Sequence, residues 1–208
     1  MRNAVPDRLS KQLDFLRLVD GLKRIQRMTQ LIHKDGEPSR RENSAEHSWH
    51  VTLMAMLLSE HTNQPIQLLH VLKMLLIHDI VEVDAGDTFV YDKKAMEGKA
   101  EREEKAAQRI FGALPEDQAR EMLAIWHEFE LGQTPEALFA AALDRLAGML
   151  PNAANDGGTW REHAITTNAV RDRNERIGNG STALWDEAAT WIEALGSRGI
   201  LQTDRTSP

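Results

Sequence analysis

Apolar residues recur at three- and four-residue intervals along most of this chain, the spacing that gives a helix one apolar stripe. Leu13, Leu16, Val19 and Leu22 set that period within residues 9–32. Residues 33–41, HKDGEPSRR, are polar and contain Gly36 and Pro38, which predicts a loop. Asn43 with Glu46 three positions on reads as a capping box that opens a helix running through Leu58 to about His61. Pro65 opens the next helix, 66–83, and Gly86, Asp87 and Thr88 fall in a loop at 84–94. Residues 97–111 form a helix with one charged face. Pro115 and Pro135 occupy first helical positions, with Thr134 as the N-cap of helix 135–150. The run PNAANDGG at 151–158 breaks the pattern before a helix over 159–176. A last amphipathic segment at 181–195 presents Leu184, Ala188, Trp191, Ile192 and Leu195, and the tail from Gly196 reads as frayed. No strand and no internal repeat is legible, so an all-α fold is expected.

A chain of 208 residues is long enough to core one domain well. The expectation is one domain over 1–208, with a core at about 9–176, a C-terminal helix at 181–195 and a frayed tail at 196–208. A net charge of -7 argues against non-specific nucleic-acid binding, which needs basic surface. There are no cysteines, so disulfides and thiolate ligands are excluded, and a metal site must draw on His, Asp or Glu. The N-terminus lacks an apolar signal-like core, and no apolar run approaches the ~18 residues of a membrane span, so a cytoplasmic protein is expected.

The chemistry concentrates in KMLLIHDIVEVDAGDT, where His78 and Asp79 sit in an apolar helix with Glu82 one turn after His78. His47 has a similar setting before the run Val51 to Leu58, and Asp144 stands among Ala141, Ala142, Leu143, Leu146 and Ala147. Burying such groups costs several kcal/mol unless they are paired or ligated, and a divalent cation compensates that cost. Each residue alone reads as an ordinary core or surface position. Alone, Asp144 beside Arg145 reads as a helix-surface ion pair, and His50, a rival or additional ligand, reads as packing with Trp49. The joint pattern of two imidazoles and two carboxylates on three apolar helices points to a metal site.

These residues carry a resemblance. ENSAEHSWHV, LLIHDIVEVDAGD and ALDRL together resemble the HD superfamily of metal-dependent phosphohydrolases, in the branch of bacterial 5'-deoxynucleotidases and short eukaryotic HD-domain proteins. The resemblance covers about residues 13–150. It implies a single HD-domain helical bundle in which His47, His78, Asp79 and Asp144 hold one divalent ion. Mn, Co, Fe, Ni, Zn and Mg all remain open as its identity. It implies that Glu82 and Asp87 are required for turnover, and that Arg27, in LKRIQRM on the first helix, contacts the substrate. Glu82 would orient or deprotonate water, or protonate the leaving group. Asp87 would share that work or hold the sugar.

The chain departs from the branch at Met28, where Trp is expected, and in the longer 33–42 loop with its own Lys34, Arg40 and Arg41. The expected function is hydrolysis of a small phosphorylated substrate, a nucleoside 5'-monophosphate foremost, with a homodimer implied by the same resemblance. The competing reading is a regulatory module that binds nucleotide or metal without turnover. A dinuclear site is disfavoured, because His127 is the only extra histidine between the HD pair and Asp144.

Overall fold

Asn43 caps its helix as the spacing predicts. Its side chain accepts from the amides of Ala45 and Glu46, and Glu46 returns to the Asn43 amide at 3.1 Å. The computed structural model describes residues 7–34 and 40–202. In chain order the elements are α1 (Asp7–Val19), β1 (Gln26–Gln30), β2 (Arg41–Asn43), α2 (Ser44–Leu58), α3 (Leu68–Ile77), α4 (Glu82–Ala85) and α5 (Lys93–Met96). They continue with α6 (Lys99–Phe111), α7 (Glu116–Leu131), α8 (Pro135–Ala154), α9 (Gly158–Glu162), α10 (Thr167–Asn174), α11 (Ile177–Gly180) and α12 (Thr182–Ser197). The fold is helical as expected. None of the described helices is long and apolar enough to cross a membrane.

Helix α8 is the hub of the core, packed against α2, α3, α7, α11 and α12. Its Phe139 and Leu143 are fully buried with Val51 of α2, Met74 and Leu75 of α3, and Phe111 of α6. Burial of side chains of this size stabilises the fold by roughly 1.5–3 kcal/mol each. Thr134 caps α8 through the Ala137 amide, with Pro135 at the first turn, as predicted. Helix α11 comes close enough to α8 that a Cβ at Gly180 would lie 2.3 Å from the Leu138 carbonyl oxygen, so only glycine fits there.

Several expectations fail for identifiable reasons. The predicted first helix, 9–32, ends at Val19. A 3-10 turn, Asp20–Arg24, leads into β1, which pairs antiparallel with β2 (Gln26 opposite Asn43, Gln30 opposite Arg41). Distant side chains hold this hairpin. Asn155 donates to the Leu31 carbonyl at 2.8 Å and accepts from the His33 amide, and Thr159 donates to the Met28 carbonyl. The helix expected over 66–83 stops at Ile77, and the one over 159–176 is divided between α9 and α10. The break expected from residue 151 begins after Ala154, because α8 continues through Pro151. The tail is ordered as far as Gln202: Leu201 is buried, and the Gln202 carbonyl accepts from the Thr167 amide at 3.1 Å. The amphipathic 181–195 segment packs Leu184, Ala188, Ile192 and Leu195 into the core. The central part of the polar loop, 35–39, and the last residues, 203–208, lie outside the described residues.

Candidate metal centre

Beyond Ile77 the backbone tightens. The amides of Ile80, Glu82, Val83 and Asp84 each bond the carbonyl three residues back, at 3.0–3.2 Å. In such a turn positions i and i+3 eclipse, so Asp79 and Glu82 share a side, where a regular helix would have paired His78 with Glu82. Gly86, at φ 73°, then turns the chain so that Asp87 follows directly on α4.

His78 is anchored on three sides. Its Nδ1 donates to the Leu75 carbonyl at 2.9 Å, its own carbonyl accepts from Trp126 Nε1, and Phe129 packs edge-on against the ring. A carbonyl can only accept, so the Nδ1 proton is fixed, and in the neutral ring, the form that binds a metal, Nε2 carries the lone pair. That Nε2 is buried without a hydrogen-bond partner, 3.2 Å from Asp79 Oδ1 and 3.7 Å from Asp144 Oδ1. His47, on α2, brings its Nε2 to 3.0 Å from the same Asp144 oxygen and 3.9 Å from Asp79 Oδ2.

His47, His78 and Asp144 thus each present one ligand atom within 4.8 Å of the others, with Asp79 alongside. An ion bound by nitrogen and oxygen at ~2.0–2.2 Å spans separations of this order. A buried imidazole nitrogen with no hydrogen-bond partner, as at His78 Nε2, is what a metal ligand presents. The residues fit a divalent cation.

The charges are tightly interlocked. Burial alone would lower the His78 pKa, but the carboxylates of Asp79 and Asp144 outweigh it and push it up to about 9. Burial works against ionisation of Asp144, yet the hydrogen bond from His47 and the nearby His78 imidazole hold it well below the usual carboxylate range. Asp79 is likewise lowered against its burial, by the charges of His78 and Arg27. Burial and the neighbouring Asp79 charge push Glu82 up to about 8. Asp87 is also raised, chiefly by burial.

Arg27 enters this cluster from β1, contrary to the helical placement the resemblance implies. Its Nη1 meets Asp79 at 2.5 Å and lies within 3.9 Å of Glu82 and Asp87, and its Nη2 is 3.9 Å from Asp144. Of the cations in the 33–42 loop, Arg40 forks onto Glu46, and Arg41 points at the Met28 sulfur. His50 stacks on Trp49, and His127 pairs with Glu104 on the surface. Glu128 binds His70 and Thr134 and takes no part in the centre.

Two supporting residues escape the sequence reading. Ser44, fully buried, donates to Glu82 Oε2 at 2.6 Å. Glu42, 5% exposed, places Oε2 3.3 Å from His47 Nδ1, the ring atom that faces away from Asp144. Both sit in the RENSAEH stretch beside the capping pair, and a buried acid just before an N-cap was the available signal. A carboxylate behind a ligating imidazole orients the ring and raises its basicity. Glu42→Gln is therefore expected to weaken binding of Mn²⁺ or Co²⁺ about 10–100-fold in a chelator-competition titration. Unchanged affinity would remove Glu42 from the centre.

The centre opens onto two cavities that share Arg27, Asp87, Asp144, Arg145 and Arg173 as walls. The smaller, about 150 Å³, adds Met28, Phe89, Tyr91, Met149 and Trp160. The larger, about 410 Å³, adds Asp79, Glu82, Lys99, Phe129 and Arg176.

Comparisons with known proteins point the same way. The sequence matches the family described as "HD domain" over residues 19–185. It is 33% identical to the 5'-deoxynucleotidase HDDC2 of Bos taurus over 134 residues, 64% of this chain and 62% of that protein. The Homo sapiens 5'-deoxynucleotidase HDDC2 gives 33% over 133 residues, with the same coverage. The match thus spans less than two thirds of the length of these curated relatives. A crystal structure described as a predicted metal-dependent phosphohydrolase, from Magnetospirillum magnetotacticum MS-1, superposes with a TM-score of 0.86 at 47% identity, covering 93% of this chain and 98% of that one.

Proposed function

Because this chain belongs to the HD domain family, we propose that it is a divalent-metal-dependent phosphohydrolase that releases phosphate from nucleoside 5'-monophosphates. The observation that carries the reading is the His47, His78 and Asp144 cluster, flanked by Asp79, Glu82 and Asp87, with all four carboxylates lining a cavity. The names carried by its relatives support the substrate class. A bound divalent ion would supply Lewis acidity and a water of lowered pKa.

The rest is work for the protein's own groups. Glu82, with its pKa raised to about 8, can both give and take a proton near neutrality, and Ser44 fixes the direction of its carboxyl. Arg27 keeps Asp79 ionised and balances the surrounding carboxylates. The smaller cavity offers Phe89, Tyr91 and Trp160 as an aromatic wall suited to a nucleobase. Met28 stands in that wall, where a less bulky side chain than Trp leaves the sugar and base more room.

The test is a phosphate-release screen across nucleoside 5'-monophosphates with several divalent ions, using Asp79→Ala as the blank. Release that depends on metal and on Asp79 is expected. A folded, metal-loaded protein that releases nothing from the panel, yet binds nucleotide tightly, would favour the regulatory module.

A cytoplasmic location and a homodimer belong to the same reading. Trp49, Leu53, Met56 and Leu76 form an exposed apolar groove along α2 and α3, which supports this face as the dimer contact. Leu53→Glu is expected to give a monomer in size-exclusion chromatography with light scattering. A wild-type monomer, or a variant that stays dimeric, would reject the assignment.

A further inference from the structure

Three arginines face the cavities without a carboxylate partner. Arg145 follows Asp144 on α8, Arg173 lies on α10, and Arg176 lies one turn later, before α11. Among the described residues none of the three has an acid within ion-pair reach; Arg24, Arg41, Arg102 and Arg161 also lack one, but none of those four lines either cavity. The chain carries 32 acids against 25 lysines and arginines, so partners were not scarce.

Arg145 Nη1 instead donates to the Arg173 carbonyl at 3.1 Å, which ties the two residues together. Three buried side-chain polar atoms of the described residues have no hydrogen-bond partner. Two belong to His47 and His78, and the third is Arg173 Nε. Arg145 and Arg173 also stand in the walls of the same two cavities. Like charges held together beside an orphaned N–H are costly unless an anion joins them.

We propose that Arg145, Arg173 and Arg176 form a phosphate subsite, separate from the His47, His78, Asp79 and Asp144 cluster. Guanidinium forks match phosphate oxygens in pairs, and three of them from α10, its C-terminal flank and α8 surround a tetrahedral anion better than a flat carboxylate. Arg27 is a poor substitute, because its charge is already committed to Asp79, Glu82, Asp87 and Asp144. A phosphorylated molecule entering a cavity lined by those carboxylates needs cationic wall elsewhere; Arg145 and Arg173 supply it in both cavities, and Arg176 adds to it in the larger. The phosphate is either the group released in the proposed reaction or a second phosphate of the same substrate. That last distinction rests on the hydrolytic reading. The subsite itself does not.

The deciding measurement is calorimetric titration of inorganic phosphate into metal-free, full-length protein. Binding at millimolar concentration is expected, weakened about tenfold or more in Arg173→Gln, while Co²⁺ affinity stays unchanged. Arg176 is exposed, so Arg176→Gln cannot fail through folding, and it too should weaken phosphate binding. Phosphate binding that is equal in both variants, absent from wild type, or present only after metal is added would overturn the proposal.

Kinetics with a nucleoside 5'-monophosphate and its 3',5'-bisphosphate then identify the source. A KM increase for both assigns the released phosphate, and an increase for the bisphosphate alone assigns a second one. Arginine-dependent phosphate binding in a protein that hydrolyses nothing would sink the proposed function and leave the subsite standing.

Discussion

Asp144→Ala is expected to abolish stoichiometric divalent-metal binding and to cut phosphate release by about 10³-fold or more. The magnitude follows from the several kcal/mol a metal contributes as Lewis acid and water activator, at 1.36 kcal/mol per tenfold in rate. Asp144 is chosen because one of its oxygens faces both imidazoles, at 3.0 Å from His47 and 3.7 Å from His78. Its side chain is 31% exposed, so truncation opens the centre to water without emptying the core around Leu143. The helical circular-dichroism signal should therefore persist while the metal-to-protein ratio falls toward zero in elemental analysis. A variant that keeps one metal per chain would show that the ion, and with it the proposed reaction, sits elsewhere.

Glu82→Gln should separate chemistry from metal binding. Glutamine keeps the shape of the side chain and can still accept from Ser44, but it carries no exchangeable acid proton. Metal content is expected to be unchanged and kcat to fall by about 10²–10⁴-fold, the range for loss of a positioned acid–base group. Ser44→Ala, which frees the carboxyl without removing it, should cost much less, about tenfold. Near wild-type turnover in Glu82→Gln would end its assignment as the proton-handling group. Loss of metal in the same variant would make it a ligand instead.

The two variants probe residues that the chain announces unequally. His78, Asp79 and Glu82 stand in one apolar stretch, and a charged group in such a setting is visible from its neighbours alone. Their mutual arrangement was misjudged, because a regular helix was expected where the backbone tightens after Ile77. Arg27 was placed on a helix by its apolar period. It lies on a strand whose partners, Asn155 and Thr159, are more than 120 positions away. Glu42 carried a weaker signal still, since nothing adjacent tells that its carboxylate backs the His47 ring.

Hydrophobic period, the Asn43 and Thr134 caps and the composition by themselves determined a helical fold, its main helices and the histidines and acids that offer chemistry. Those properties are local, set by side chains within one or two turns. The tertiary structure alone decided the β1–β2 hairpin, the approach of Arg27 to five carboxylates, the backing of His47 by Glu42 and the convergence of Arg145 with Arg173 and Arg176. The approach of Arg27 and the meeting of Arg145 with Arg173 join segments far apart in the chain, while Glu42 and His47 are close in sequence; in every case the energy depends on burial and shared charge that no local spacing records.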